Sequence, residues 1–120
     1  MAIRRIEEMQ TGEHHKKDEL FCPVMATLDV LNQRWNLRIV RSLLDGTKRF
    51  NEIAREHGIN PRTLRDRLKV LEDEGIIHRH VVSTMPPNVE YSLTDKGLAL
   101  NDVFEMLAGW GKRWMKPPCP

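Results

Sequence analysis

The 120-residue chain predicts an α+β domain that is mostly helical, on three observations. Five stretches space their apolar residues at intervals of three and four, as amphipathic helices do. Two runs rich in β-branched and aromatic residues, Ile76 to Ser83 and Val89 to Leu93, flank a turn-forming linker, Thr84-Met85-Pro86-Pro87-Asn88, and read as a β-hairpin with a protruding tip. The length suits one core, since a chain of this size buries roughly two-thirds of its extended surface without a disulfide or metal staple.

Taken in order, Met1 to Leu20 is polar and aperiodic apart from a short helical turn around Arg4 to Gln10, and reads as a loosely ordered arm. Pro23 starts a helix whose stripe is Val24, Leu28 and Leu31. Trp35, Leu37, Ile39, Val40, Leu43 and Leu44 make a second helix, stopped by Asp45-Gly46. Phe50, Ile53, Ala54 and His57 fit a short third helix ending at Gly58. Asn60 can cap the fourth helix, and Pro61 takes its first position, where a missing donor does no harm. Leu64, Leu68 and Leu71 share one face of that helix, which Gly75 ends. After the hairpin, Thr94 caps a last helix that runs to about Met115, where Lys116-Pro117-Pro118 stops it. There is no internal repeat.

Composition excludes several classes. The chain is 40% apolar and 30% charged, no window approaches 18 consecutive apolar residues, and the first residues carry charge. Neither a membrane span nor a secretory signal is expected, and the expected address is cytoplasmic. Cys22 and Cys119 lie 97 positions apart, which is neither a disulfide framework nor a Cys-x-x-Cys pair. No Ser-His-Asp set, paired-carboxylate site, phosphate-cradling glycine loop or metal motif is visible, so neither an enzyme nor a bound cofactor is expected. The five histidines supply no third ligand at a diagnostic spacing; His78 and His80 share a strand face, and His14-His15 sit on the arm.

The net charge of +2 conceals a segregated pattern. Residues 34–55 hold six basic side chains against two acidic ones, and residues 60–70 hold four against one. The middle of the chain therefore carries about +7 and the remainder about −5, a pointer to a polyanionic partner.

A short helix, a turn at Gly58 and a longer capped helix make a helix-turn-helix candidate. With Leu64, Leu68 and Leu71 turned to the core, Arg62, Asp66 and Lys69 point away from it, and Thr63 and Arg65 flank them. Such a helix, entered from Asn60, can read a major groove: Arg62 or Arg65 can take guanine O6 and N7, and Asp66 can accept from cytosine N4. The same residues also read as ordinary surface pairs, Arg62–Asp66 and Asp66–Lys69. The hairpin adds a wing whose tip, Met85-Pro86-Pro87-Asn88, is uncharged and stiff, with Arg79 on the strand before it. Lys48, Arg49 and Asn51, at the start of the third helix, can add phosphate contacts, which position without specifying. In the last helix Leu100, Val103, Leu107, Trp110 and Trp114 step by 3, 4, 3 and 4, an a/d-like seam longer than one small core requires.

These residues resemble the HxlR-type winged helix-turn-helix transcription regulators, relatives of the MarR group. The likeness rests on Cys22-Pro23-Val24, on Trp35 with Ile39 and Leu43-Leu44, and on Gly46 before Arg49-Phe50-Asn51-Glu52-Ile53. It continues through Leu64, Arg67-Leu68-Lys69, Leu71-Glu72, Gly75-Ile76-Ile77, Arg79, Pro86-Pro87, Val89-Glu90-Tyr91-Ser92-Leu93-Thr94, Gly97 and Trp110-Gly111. It spans residues 22–111, leaving out the arm, residues 1–20, and residues 112–120, of which 117–120 form the C-terminal tail. Asn32-Gln33-Arg34 stands where the family commonly has glycines before the tryptophan, and Ile59-Asn60-Pro61 replaces an Ile-Ser or Ile-Thr opening.

The resemblance implies a winged domain over residues 21–116 whose outer helices form a homodimer on palindromic double-stranded promoter DNA. A two-fold axis would set the recognition helices roughly 34 Å apart. It also implies that Cys22 can serve as a thiol sensor of oxidants or electrophiles, and Pro23 right after it puts the thiol at a helix N-terminus, which favours thiolate. Three readings stay open beside this one: Cys22 as a small buried hydrophobe, control by a small molecule at the dimer interface, and a winged-helix protein–protein module that binds no DNA.

Overall fold

A computed structural model describes residues 21–116. The arm, residues 1–20, and the tail with Cys119 lie outside the described residues. The chain divides into two compact units, residues 1–33 and 34–120.

The described part of the first unit is helix α1, Pro23–Leu31, with Cys22 at its N-cap and Pro23 at its first position. The stripe read from its spacing is only partly buried. Leu31 is covered, but Val24 and Leu28 are about half exposed, as are Phe21 and Met25. The periodicity is helical, yet it reports only which face is apolar and not what covers it.

The second unit runs α2 (Asn36–Leu43), β1 (Lys48–Arg49), α3 (Phe50–His57), α4 (Pro61–Asp73), β2 (Ile77–Thr84), β3 (Pro87–Leu93), α5 (Asp95–Leu98) and α6 (Asn101–Trp114). Its core is made of Ile39, Val40 and Leu43 from α2, Ile53 from α3, Ile59 from the turn, Leu64, Leu68 and Leu71 from α4, and Ile76, Ile77 and Tyr91 from the hairpin. Each such side chain contributes about 1.5–3 kcal/mol by leaving water.

The helix ends follow the local chemistry read from the sequence. Gly58 takes a left-handed φ of 65° and, with Ile59, closes α3 onto the Ala54 carbonyl. Asn60 Oδ1 accepts from the Arg62 N–H at 2.8 Å to start α4. At the far end Gly75, φ 76°, and the Ile76 N–H to Leu71 carbonyl bond close α4 in a Schellman turn.

Four features differ from expectation. Trp35 is not the first helical residue of α2 but its N-cap, at a φ of 81° that bulky residues rarely adopt. The guanidinium carbons of Arg34 and Arg38 lie 5.0 and 5.6 Å from its ring centroid. A two-residue strand, β1, joins the hairpin; two residues are too few to show a period. The sheet is antiparallel in the order β1-β3-β2.

The five-residue linker is in fact a two-residue turn, Met85-Pro86, joined by a cis peptide bond, because the ladder continues through Ser83↔Asn88 to Thr84↔Pro87. Pro87 is tolerated as the first residue of its strand, and a bulge between Val81 and Ser83 absorbs the change of register. Finally, the last helix is two helices. Thr94 caps α5 through the Gly97 N–H, the Leu100 N–H bonds back to the Gly97 carbonyl, and the chain restarts at Asn101.

Gly97 lets α5 pack closely. A Cβ there would stand 2.3 Å from the Ile76 carbonyl oxygen, so the helix can lie against the start of β2 only without a side chain. Gly97→Ala is expected to destabilise the domain by about 1–3 kcal/mol, the usual range for overpacking, read as a lower urea midpoint at unchanged slope.

Candidate nucleic-acid interface

Helix α4 presents two unlike faces. Leu64, Leu68 and Leu71 are buried, while Arg62, Arg65, Asp66 and Lys69 are exposed and Thr63 is half-buried. Among the described residues, the ion pair on this helix is neither Arg62–Asp66 nor Asp66–Lys69 but Lys69–Asp73, Nζ to Oδ1 at 3.0 Å. The Asp73 hydrogen bond holds the Lys69 pKa above the ordinary lysine value. It draws that ammonium towards the acidic rear of the helix and leaves the front to arginine.

The tertiary fold brings two distant segments together beside α4. Arg49, Phe50 and Asn51, where β1 passes into α3, line one cleft with Ser83, Pro86, Pro87, Asn88 and Val89 of the wing. Five residues expected to touch DNA backbone, Arg49, Asn51, Pro86, Pro87 and Asn88, thus share a single concavity. At the tip Met85 is 91% exposed. Arg79 is exposed on β2, in register with Tyr91.

Lys48 behaves otherwise. Its Nζ lies 2.9 Å from Glu56 Oε1 and donates to Ser42 Oγ, also at 2.9 Å; Ser42 Oγ in turn donates to Glu56 Oε1 at 2.6 Å. The side chain is turned inwards at 18% exposure, so it fastens α2, β1 and α3 to one another. The hydrogen bonds from Ser42 and then Lys48 hold the Glu56 carboxyl below the ordinary glutamate value of 4.5. Residues 42, 48 and 56 sit on three elements at no diagnostic spacing, so no local sequence signal could have found this cluster.

The remaining candidates lie elsewhere. Cys22 is buried at the N-cap of α1, and its side chain makes no capping hydrogen bond. No residue of α6 is buried: Val103, Leu107, Trp110 and Trp114 are 42, 51, 60 and 64% exposed, and Leu100 is half-buried. Among the described residues there is no group of three or more side chains able to hold a metal, and no helix long and apolar enough to cross a membrane.

A helix, a tight turn and a capped second helix, backed by an antiparallel hairpin, define a winged helix-turn-helix. The model of the HxlR-like helix-turn-helix family matches residues 30–118, and the chain belongs to that family. It is 42% identical over 94 residues to the uncharacterized HTH-type transcriptional regulator YdeP of Bacillus subtilis, covering 78% of this chain and 73% of that one. The reduced form of the transcriptional regulator YodB from B. subtilis matches with a TM-score of 0.71 at 39% identity, over 81% of this chain and 97% of that one. YodB has also been solved with quinone bound. The redox regulator HypR in its oxidized form matches with a TM-score of 0.70 at 40% identity, over 80% of this chain and all of that one. The family and these relatives are transcriptional regulators, not enzymes.

The Glu56 cluster has a pH signature. A carboxyl whose folded pKa is depressed stabilises above its unfolded pKa, and that stability is lost as pH falls through the folded value. The melting-temperature gap between wild type and Glu56→Gln should therefore be widest near neutrality and close below pH 4.5. Because the side chain is 42% exposed, the effect should stay below about 1 kcal/mol. A gap independent of pH would deny Glu56 this role.

Proposed function

We propose that the protein is a homodimeric transcriptional regulator that binds palindromic promoter DNA through α4 and the wing. The observation that carries this reading is the outward, basic front of α4 standing beside a cleft that unites the start of α3 with the wing. Arg62 and Arg65 take guanines and Asp66 a cytosine, with Asn60 and Thr63 at the groove edge. Lys69, Arg49, Asn51, Arg79 and the wing residues Pro86, Pro87 and Asn88 follow the backbone. Lys48 serves DNA indirectly, by holding β1 against α3.

The dimer reading is supported by the apolar side chains that α6 leaves in water, since patches of this kind mark association surfaces. A cytoplasmic address accompanies a DNA partner. Arg62 and Arg65 at the front of α4, with Lys69 behind them, favour DNA over a protein partner, since groove entry uses long basic side chains and protein interfaces are depleted of lysine.

Control by thiol chemistry at Cys22 is the regulatory reading favoured here. Its supports are the position of the thiol immediately before α1, the similarity to the redox regulator HypR, and the similarity to YodB, which has been solved in a reduced form and with quinone bound. A small molecule seated between subunits is the other source of control.

Duplex binding should weaken steeply and log-linearly with salt. Arg62→Ala and Arg65→Ala should each weaken binding of a selected duplex by about 1–3 kcal/mol, and Trp110→Glu should sediment as a monomer and lose the two-half-site complex. A gel shift unchanged by both arginine truncations rejects the recognition-helix assignment. For the signal, diamide or a quinone should release DNA from the wild type but not from Cys22→Ser; release that persists in the variant excludes this residue as the sensor.

A further inference from the structure

Phe50 is the first residue of α3, where its spacing assigns it to the apolar face of that helix. In the structure the buried member of α3 is Ile53, and the Phe50 ring is only half-buried and lines the cleft under the wing. The Arg65 guanidinium carbon lies 5.8 Å from the ring centroid. That is within the range in which a cation is attracted to an aromatic face. Among the described residues, Arg65 is the arginine of α4 with such a contact; the others join Arg34 and Arg38 to Trp35, and Arg113 to Trp114.

The backbone that carries the ring is held on both sides. Glu52 Oε1 accepts the Arg49 N–H at 2.9 Å, which pins the first turn of α3. Arg49, the residue before Phe50, pairs with Glu90 on wing strand β3. The aromatic platform is therefore one residue away from a backbone ladder that continues into the wing.

A guanidinium lying over an aromatic face keeps its planar edge of N–H donors for two parallel hydrogen bonds. It has also given up rotamer freedom before any ligand arrives, so less is lost on docking.

We propose that Phe50 is a positioning residue for base recognition: it holds Arg65 in place for bidentate contact with a guanine and keeps that contact at a set distance from the wing. This rests on the DNA-binding reading above. It separates the two arginines of the helix front, with Arg65 as the preset reader.

The test compares a duplex enriched from a random-sequence pool by the wild-type protein with a scrambled duplex of the same composition. Phe50→Leu, which keeps an apolar side chain, should reduce the preference for the enriched duplex about two- to fivefold and leave scrambled-duplex affinity and its salt slope unchanged. In that background Arg65→Ala should cost less preference than it does in the wild type, since part of the contact's worth is already lost. Phe50→Tyr should retain it.

In the free protein the Arg65 side-chain protons should resonate upfield in the wild type and Phe50→Tyr, and at ordinary positions in Phe50→Leu. This readout needs no DNA and stands even if Phe50→Leu fails to fold. Losses that multiply in the double variant, a full preference in Phe50→Leu, or no ring-current shift at Arg65 in the wild type overturns the platform alone. A wild type that enriches no sequence while showing the Arg65 shift overturns the DNA reading, and this proposal with it.

Discussion

Burial of Leu64, Leu68 and Leu71 holds α4 at one rotation about its axis, and what the helix offers to solvent follows from that rotation. Successive helical residues are about 100° apart. A slip of one position would carry a leucine into water and a charged neighbour into the core, at a cost several times that of a surface interaction. Asn60 and Pro61 set where the helix begins and Gly75 sets where it ends, so length and phase are both determined. The basic front of α4 is in this sense a by-product of three leucines.

The small sheet extends that constraint to the rest of the interface. Two residues of β1 pair with β3, and this pairing places residues 49–51 opposite residues 86–88 around one cleft. The Ser42–Lys48–Glu56 cluster closes the other side of β1 against α2 and α3. Lys48 and Arg49 are neighbours in sequence with the same charge, yet one is drawn inwards by a carboxylate and the other lies exposed at the cleft. Strand alternation separates them, since adjacent side chains on a strand leave it on opposite faces.

Most of the fold was legible because it is written in local chemistry. The α3 and α4 boundaries, the Asn60 cap, the glycine stops and the hairpin all depend on residues within a few positions of one another. The misread parts depend on distant partners. The wing turn closed to two residues because a bulge after Val81 let the ladder run on to Pro87. The last helix divided at Ala99-Leu100, after the short helix whose Gly97 lies against the Ile76 carbonyl. The α1 stripe had the correct spacing but is half uncovered, since periodicity reports which face is apolar and says nothing of what covers it.

The sequence by itself determined the class of molecule: helix, turn, capped helix and hairpin in that order, with basic residues gathered on the middle helices and a motif series shared with one regulator family. Those features are short-range, and each is decided by the preferences of neighbouring residues. Only the tertiary structure decided that Lys48 is occupied by Glu56 and that the Arg65 guanidinium lies within cation–π reach of Phe50. These are contacts whose energy depends on distance in space, and for Lys48–Glu56 and Arg65–Phe50 the chain brings the partners within reach only after the core has closed.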